Sequence, residues 1–252
     1  MKPFINEKED YHIALRGVQA KVLCNFGSLL ERHVMITGYW EPEESQFINR
    51  CLKPGMTAID IGANVGLHSV RMAALVGMSG RVFSLEPNPS FSERLKRNAE
   101  LNGFRNISIA GCGLSDQPGV SVLYVNGPAN PNKNATLVWD PQNADTVACT
   151  VSLKRLDDVW HELMRDAKID FLKLDIEGYE LSALRSGRQM LEACRPVILS
   201  EFSHYYARLL EYSWQDVQQF YSRFGYRLCL PSGKPLKVRM TDHSNFNFTA
   251  LP

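Results

Sequence analysis

Four acidic residues in this chain of 252 residues each follow a short apolar segment with the composition of a β-strand. They are Asp60, Glu86, Asp175 and Glu201. Ligands of open α/β sheets bind outside the carboxyl ends of the strands, so we expect these side chains to meet at one site. Carboxylates gathered there could face a cationic ligand, and by raising one another's pKa they could supply a general base.

The same acids could instead bind Mg²⁺, a hard cation that prefers carboxylate oxygens. Their spacing defines no ligand set, so we assign no metal ligand. The cysteines show neither C-x-x-C spacing nor a cluster with histidine, which favours isolated thiols over a zinc site or a disulfide framework. They are Cys24, Cys51, Cys112, Cys149, Cys194 and Cys229.

A glycine-rich turn follows the first of the four acids, within residues 59–68 (IDIGANVGLH). Small residues let the backbone approach a ligand, and the helix that begins there offers free N–H groups. A dinucleotide-binding fingerprint would need glycine at positions 62, 64 and 67. Asn64 and Leu67 occupy two of these positions, so the dinucleotide interpretation fails.

Short apolar strands alternate with amphipathic helices from residue 57 onward, a pattern that predicts a parallel sheet covered by helices. A non-helical turn joins the last two strands, which are therefore predicted to be antiparallel. Residues 1–52 form a predicted N-terminal cap, and residues 53–252 the main domain with an insertion at about 120–152. The predicted strands of the main sheet are 57–60, 81–86, 106–110, 169–174, 197–200, 226–230 and 246–251.

Local signals predict several helix boundaries. Pro89 and a capping box at Ser90 and Glu93 predict the start of one helix, and Asp157 with Asp158 predicts a cap for another. Gly187 is predicted to interrupt a helix that runs from residue 179 to residue 194.

Overall charge and hydropathy exclude several classes of protein. Lys and Arg total 28 against 27 Asp and Glu, so a net charge of +1 provides no general attraction for nucleic acid. No apolar run is long enough to span a membrane, and the first ten residues lack the apolar core of a secretory signal. We therefore expect a soluble, cytoplasmic protein.

The pattern D-x-G-x-N-x-G at residues 60–66 resembles motif I of class I S-adenosylmethionine-dependent methyltransferases. Further segments extend the likeness: GYWEP at 38–42, VSLKRLDD at 151–158, the run K-x-D-x-E-G-x-E at 173–180 and RPVILSE at 195–201. Over residues 38–202 the chain resembles the FkbM-type methyltransferase family. The resemblance implies a Rossmann-like, seven-stranded, mostly parallel sheet with helices on both faces, an antiparallel last strand and a small N-terminal cap.

The resemblance implies S-adenosylmethionine as the cofactor. Asp60 would meet its ammonium group, Glu86 its ribose hydroxyls, and Ser115 with Asp116 its adenine ring. The whole set of implied cofactor-binding residues is Asp60, Gly62, Ala63, Asn64, Gly66, His68, Glu86, Pro87, Ser115, Asp116 and Asp175.

Members of this family are mostly O-methyltransferases of natural products and sugars, so the resemblance implies a small-molecule or glycoside acceptor. An alcohol must lose a proton, and the candidate catalytic residues are Asp175, Glu177, Glu201 and His204. The sequence leaves open an amine N-methyltransferase and a non-catalytic cofactor-binding module. The Asn/Pro-Pro-Pro-Tyr/Phe signature of nucleobase methyltransferases is absent, since Leu174–Glu177 stands in its place.

Two further features bear on the acceptor and on partners. The long loop 126–145 and the N-terminal segment are candidates for a substrate lid. The aromatic pairs Tyr39-Trp40 and Tyr205-Tyr206 could line either an apolar pocket or the interface of a homodimer.

Overall fold

The computed structural model describes residues 9–126, 135–139, 146–236 and 245–252. The strands are β1 (Tyr11–Ala14), β2 (Lys21–Cys24), β3 (Thr57–Ile61), β4 (Arg81–Leu85), β5 (Ile107–Ala110), β6 (Gly113–Leu114), β7 (Gly119–Asn126), β8 (Ala135–Thr136), β9 (Thr146–Lys154), β10 (Phe171–Leu174), β11 (Val197–Phe202), β12 (Arg227–Cys229) and β13 (Phe246–Leu251). The helices are α1 (Leu29–Thr37), α2 (Pro42–Cys51), α3 (Leu67–Val76), α4 (Pro89–Leu101), α5 (Leu156–Glu162), α6 (Glu180–Arg185), α7 (Arg188–Cys194), α8 (His204–Leu209) and α9 (Trp214–Arg223).

The central sheet has seven strands in the order β12-β13-β11-β10-β3-β4-β5. The pairs that join β11, β10, β3, β4 and β5 are all parallel, whereas β13 runs antiparallel to both of its neighbours. The predicted Rossmann-like sheet with an antiparallel last strand is therefore confirmed.

Helices cover both faces of this sheet, which explains why most residues of its inner strands are buried. Ile59 and Ile61 of β3 belong to a large core with the helices α5, α6, α7 and α9. Ala58 directly precedes Ile59 and therefore points to the other face, where it packs with Met72 of α3 and Phe47 of α2.

The N-terminal region packs directly on the main sheet's helices. Ile48 of α2 belongs to the same core as α3, and Val22 of β2 and Val34 of α1 pack against Val70 of α3. The side chain of Asn98 on α4 accepts from Leu23 N at 2.7 Å and donates to the carbonyl of Val65 at 2.8 Å. These contacts hold β2, α1 and α2 over the end of the sheet at which α3 begins.

The insertion between β5 and α5 forms a second sheet, in the order β6-β9-β7-β8. Of the loop proposed as a lid, residues 135–139 are described and contribute β8, which pairs with β7. Residues 127–134 and 140–145 of that loop, like residues 1–8 of the N-terminal segment, lie outside the described residues.

Helix α4 begins at Pro89 as predicted, but the capping of two helices differs from the sequence prediction. Asn88 caps α4 by accepting the Ser90 N–H at 2.9 Å, so the capping box predicted at Ser90 is wrong. Asp157 lies inside α5, and its carboxylate accepts the N–H groups of Gln189 and Met190 at the start of α7. The predicted cap therefore serves a different helix.

The break at Gly187 is confirmed, because α6 ends at Arg185 and α7 begins at Arg188. A Cβ atom on Gly187 would lie 2.5 Å from Leu156 Cδ2, so the close packing of α5 leaves no room for a side chain there. Within the described ranges, no helix has the length and apolar character needed to cross a membrane. All six cysteines are free, as the sequence predicts.

Asp157→Ala should lower the free energy of unfolding by about 1–2 kcal/mol, because the first turn of α7 then loses a buried capping carboxylate. Urea denaturation measures the change. Asp158→Ala removes a neighbouring carboxylate of the same helix and serves as the matched control. Equal losses for the two variants would contradict the capping role.

Candidate functional site

A cavity of about 540 Å³ opens at the carboxyl ends of the central strands. Its wall contains Asp60, Glu86, Asp175 and Glu201, so the structure brings the four strand-end acids together. Glu177 and His68 also line it. A further part of the wall comes from the N-terminal region, namely Leu29, Leu30, His33, Trp40 and Glu41.

The turn between β3 and α3 approaches the end of β10 very closely. Gly62 has a φ of 77°, and a Cβ atom built on it would lie 1.8 Å from the carbonyl oxygen of Asp175. Only glycine combines this left-handed conformation with the close backbone contact. Gly66 begins α3 with a φ of 87°, and its added Cβ would lie 2.6 Å from Leu95 Cγ. Both glycines are required by packing as well as by the turn.

The carboxylate of Glu86 is built into this turn. Its Oε2 accepts the N–H of Asn64 at 2.8 Å, and its Oε1 accepts the N–H of Asn88 at 2.8 Å. Burial raises the pKa of Glu86 to about 7, although the two N–H donors act in the opposite direction. Each oxygen keeps a lone pair for another donor, so the side chain can still bind hydroxyl groups of a ligand.

Asp60 lies beneath the turn and is 1% exposed. Its Oδ2 accepts a hydrogen bond from Ser69 Oγ at 2.5 Å, and Ser84 Oγ lies 2.9 Å from Ser69 Oγ. Its Oδ1 is buried without a hydrogen-bond partner among the described residues. Burying a carboxylate oxygen without a hydrogen bond lowers the stability of the fold, and a ligand that donates a hydrogen bond to Asp60 Oδ1 would remove this penalty.

A buried lysine lies among these acids. Lys173 of β10 donates from Nζ to Asp175 Oδ2 at 2.9 Å, and its side chain is 5% exposed. Burial works against its charge, but the carboxylates of Asp175, Glu41 and Asp60 more than offset this and raise the pKa of Lys173. Lys173 is therefore a permanent cation within the cavity wall.

Carboxylates crowd at the ends of β10 and β11. Oxygens of Asp175, Glu180 and Glu201 all lie within 4.8 Å of one another. Burial, followed by the charge of Asp175, raises the pKa values of both Glu177 and Glu201. This is the arrangement that keeps a carboxylate basic.

Glu180 has a structural task within this group. Its carboxylate accepts the N–H groups of Ile176 and Gly178 at 2.9–3.2 Å, which closes the loop between β10 and α6. Burial raises its pKa to about 7 while these donors oppose the shift. It is the first residue of α6, where a carboxylate also interacts favourably with the helix dipole.

Some predicted site residues lie elsewhere. Ser115 and Asp116 face α6, where Asp116 Oδ1 accepts from Ser182 Oγ at 2.7 Å, and neither belongs to the cavity wall. The preceding segment 112–114 lines the cavity instead. His204 begins α8, and its ring packs edge-on against Phe202 with the ring centroids 4.8 Å apart, away from the wall.

The cavity also contains residues that were not predicted for the site. Glu41 and Lys173 are the main ones. Both lie inside segments that carry the family resemblance, GYWEP and K-x-D-x-E-G-x-E, and this resemblance was the signal that could have indicated them. Trp40, named from the sequence as a candidate for an apolar pocket, also lines the cavity. Leu29, Leu30 and His33 lie outside those segments.

Residues 60–228 match the family model of the methyltransferase FkbM domain. The chain belongs to the FkbM methyltransferase family. Its cofactor is S-adenosylmethionine.

Two curated relatives of this chain are fungal proteins. Methyltransferase sdnD of Sordaria araneosa is 32% identical over 152 residues, which cover 50% of this chain and 58% of the relative. Methyltransferase 1 of Beauveria bassiana (strain ARSEF 2860) is 27% identical over 146 residues, with coverages of 50% and 56%. The matches thus span less than two thirds of either relative.

Among solved structures, methyltransferase FkbM from Methylobacillus flagellatus KT aligns with a TM-score of 0.49 and 18% identity. That alignment covers 86% of this chain and 52% of the bacterial one.

The cavity residues fit the cofactor. The unpartnered Asp60 Oδ1 suits an ammonium donor, and the Glu86 carboxylate beside the glycine turn suits ribose hydroxyls. The acidic wall also suits the positive charge of a sulfonium group.

Without ligand, the free energy of unfolding should fall as the pH rises from about 5 to 7. The folded pKa of Glu86 is raised from 4.5 to about 7, so the folded state binds a proton in this interval that the unfolded state releases. Glu86→Gln removes that contribution and should make the decline shallower. Urea denaturation at several pH values measures it.

Glu93→Gln, on an exposed position of α4, is the control and should keep the wild-type slope. An unchanged slope in Glu86→Gln would contradict the raised pKa of Glu86.

Proposed function

We propose that this FkbM methyltransferase transfers the methyl group of S-adenosylmethionine to a hydroxyl group of a small molecule or glycoside. The observation that carries the proposal is the cluster of carboxylates from Asp175, Glu177 and Glu201 at one end of the cofactor cavity. A hydroxyl group must lose a proton when it is methylated, and such a cluster can accept it.

The glycine turn and its neighbours hold the cofactor in this proposal. Asp60 binds the ammonium group, and Glu86 accepts hydrogen bonds from the ribose hydroxyls. Residues 62–65 of the turn, together with His68, Pro87 and Asp175, surround the cofactor, whereas Gly66 does not line the cavity. Cys112–Leu114 is better placed than Ser115 and Asp116 to contact the adenine ring, because only the former segment lines the cavity among the residues described.

The bound cofactor supplies an electrophilic methyl group on a positively charged sulfur. Asp175, Glu177 and Glu201 orient the acceptor hydroxyl and take its proton. A cation beside Glu177 and Glu201 favours their ionised forms and offsets their raised pKa values, so the base becomes competent in the loaded site. Positioning the hydroxyl in line with the methyl group contributes further to the rate enhancement.

The apolar residues that the N-terminal region contributes to the cavity wall favour a small, partly apolar acceptor. Leu29, Leu30 and Trp40 line the cavity together with Phe91 of α4 and Leu137. Apolar walls of this kind bind the carbon skeleton of a small molecule, while a few polar groups orient it. The net charge of +1 supports this acceptor class over nucleic acid.

Two alternatives predict different behaviour. An amine acceptor releases its proton easily and depends less on a strong base, so N-methylation should tolerate loss of the carboxylates. A non-catalytic cofactor-binding module would bind S-adenosylmethionine without forming S-adenosylhomocysteine. Both are separated from the proposal by the following experiment.

Asp175→Asn and Glu201→Gln should each reduce methyl transfer about 10²–10⁴-fold, because the acceptor hydroxyl then lacks its base. Labelled S-adenosylmethionine with a panel of hydroxyl-rich metabolites, glycosides and amines measures transfer, with and without a chelator. Asp158→Asn, on α5, is the control and should retain activity.

Transfer only to amines, with little effect of either variant, would contradict O-methylation. Loss of activity with chelator would show that the carboxylates act through a metal ion. Glu177→Gln and His204→Gln test the two remaining catalytic candidates in the same assay.

A further inference from the structure

Glu41 has an unfavourable backbone conformation at the edge of the cavity. Its φ and ψ angles are 45° and 81°, in the left-handed region, and the next residue is Pro42. A residue before proline strongly favours extended conformations, so this geometry is strained for any residue with a side chain. Strain of this kind persists where the surrounding structure imposes it, and it is concentrated at functional sites.

The side chain of Glu41 is held as an anion at the cavity wall. Its Oε2 lies 3.0 Å from Nε2 of His68, and a quarter of the side chain remains exposed. Burial opposes its charge, but the hydrogen bond from His68 and the charge of Lys173 keep the pKa of Glu41 below its usual value. Glu41 thus differs from Glu177 and Glu201, whose pKa values are raised.

The contacts of Glu41 place it near Asp60. His68 is the second residue of α3, directly after the glycine turn, and Lys173 is the strand partner of Asp60 in the sheet. Both neighbours therefore belong to the part of the cavity around β3 and α3. Glu86 lies on the other side of the turn, at the end of β4.

We propose that Glu41 binds the ammonium group of the cofactor's amino-acid end, together with Asp60. This inference rests on the cofactor placement proposed above. The strained backbone brings an anionic carboxylate from the N-terminal region to the glycine turn, and His68 and Lys173 fix its position. The N-terminal region thereby contributes to cofactor binding as well as to the acceptor wall.

The test compares two ligands and two variants. S-adenosylhomocysteine carries the ammonium group, and its desamino analogue lacks only that group. Glu41→Gln should weaken S-adenosylhomocysteine about 10- to 100-fold in calorimetric titration, as expected for loss of a charged hydrogen bond. Its affinity for the desamino analogue should stay within about twofold.

Glu44→Gln is the matched control, because Glu44 lies on the same helix and accepts from Asn247 Nδ2 at 2.8 Å, away from the cavity wall. It should leave both affinities unchanged. His68→Phe removes the contact that positions Glu41 but leaves the carboxylate itself in place, so it should reduce the preference for the ligand with the ammonium group by less than Glu41→Gln does.

If Glu41→Gln weakened the affinity for both ligands equally, the proposed contact with the ammonium group would be wrong. Glu41 would then serve only to hold the N-terminal region in place. Loss of the ammonium preference in His68→Phe, with the preference kept in Glu41→Gln, would overturn the proposed contact as well. If neither ligand bound the unmodified protein, the cofactor placement itself would fail, and this inference with it.

Discussion

The site depends on the close approach between the glycine turn after β3 and the end of β10. The added Cβ atom of Gly62 would lie 1.8 Å from the carbonyl oxygen of Asp175, so a side chain here would force the two strand ends apart. This contact fixes the distance between Asp60 and Asp175 and sets α3 over the cavity. The register of neighbouring parallel strands then brings Glu86 and Glu201 to the same edge of the sheet.

Crowding of acids at this edge has an electrostatic consequence. Each buried carboxylate disfavours the ionisation of the others. The positive charge of Lys173 offsets this repulsion only for the carboxylates close to it. Lys173 forms an ion pair with Asp175 and helps to lower the pKa of Glu41, whereas burial and neighbouring charges raise the pKa values of Glu177 and Glu201. The cavity therefore offers anionic groups for a cationic cofactor and basic groups for an acceptor proton. The cavity is therefore locally acidic although the net charge of the whole chain is +1.

Sequence reasoning succeeded where the determining interactions are local. Strand and helix periodicity, the glycine turn and the strand-end acids are each encoded within about ten neighbouring residues, and they sufficed to predict the sheet and the meeting of the four carboxylates. Long-range packing determined the rest. Asp157 caps a helix that begins about thirty residues later, Asp116 turns towards Ser182, and Glu41 reaches the cavity through a backbone that sequence preferences disfavour.

Calorimetric titration with S-adenosylmethionine tests most directly whether the strand-end carboxylates hold the cofactor. Asp60→Asn and Glu86→Gln should each weaken binding about tenfold or more, because each removes a charged acceptor from the cavity wall. Unchanged affinity in both variants, with the folded state intact by circular dichroism, would contradict the placement of the cofactor in this cavity.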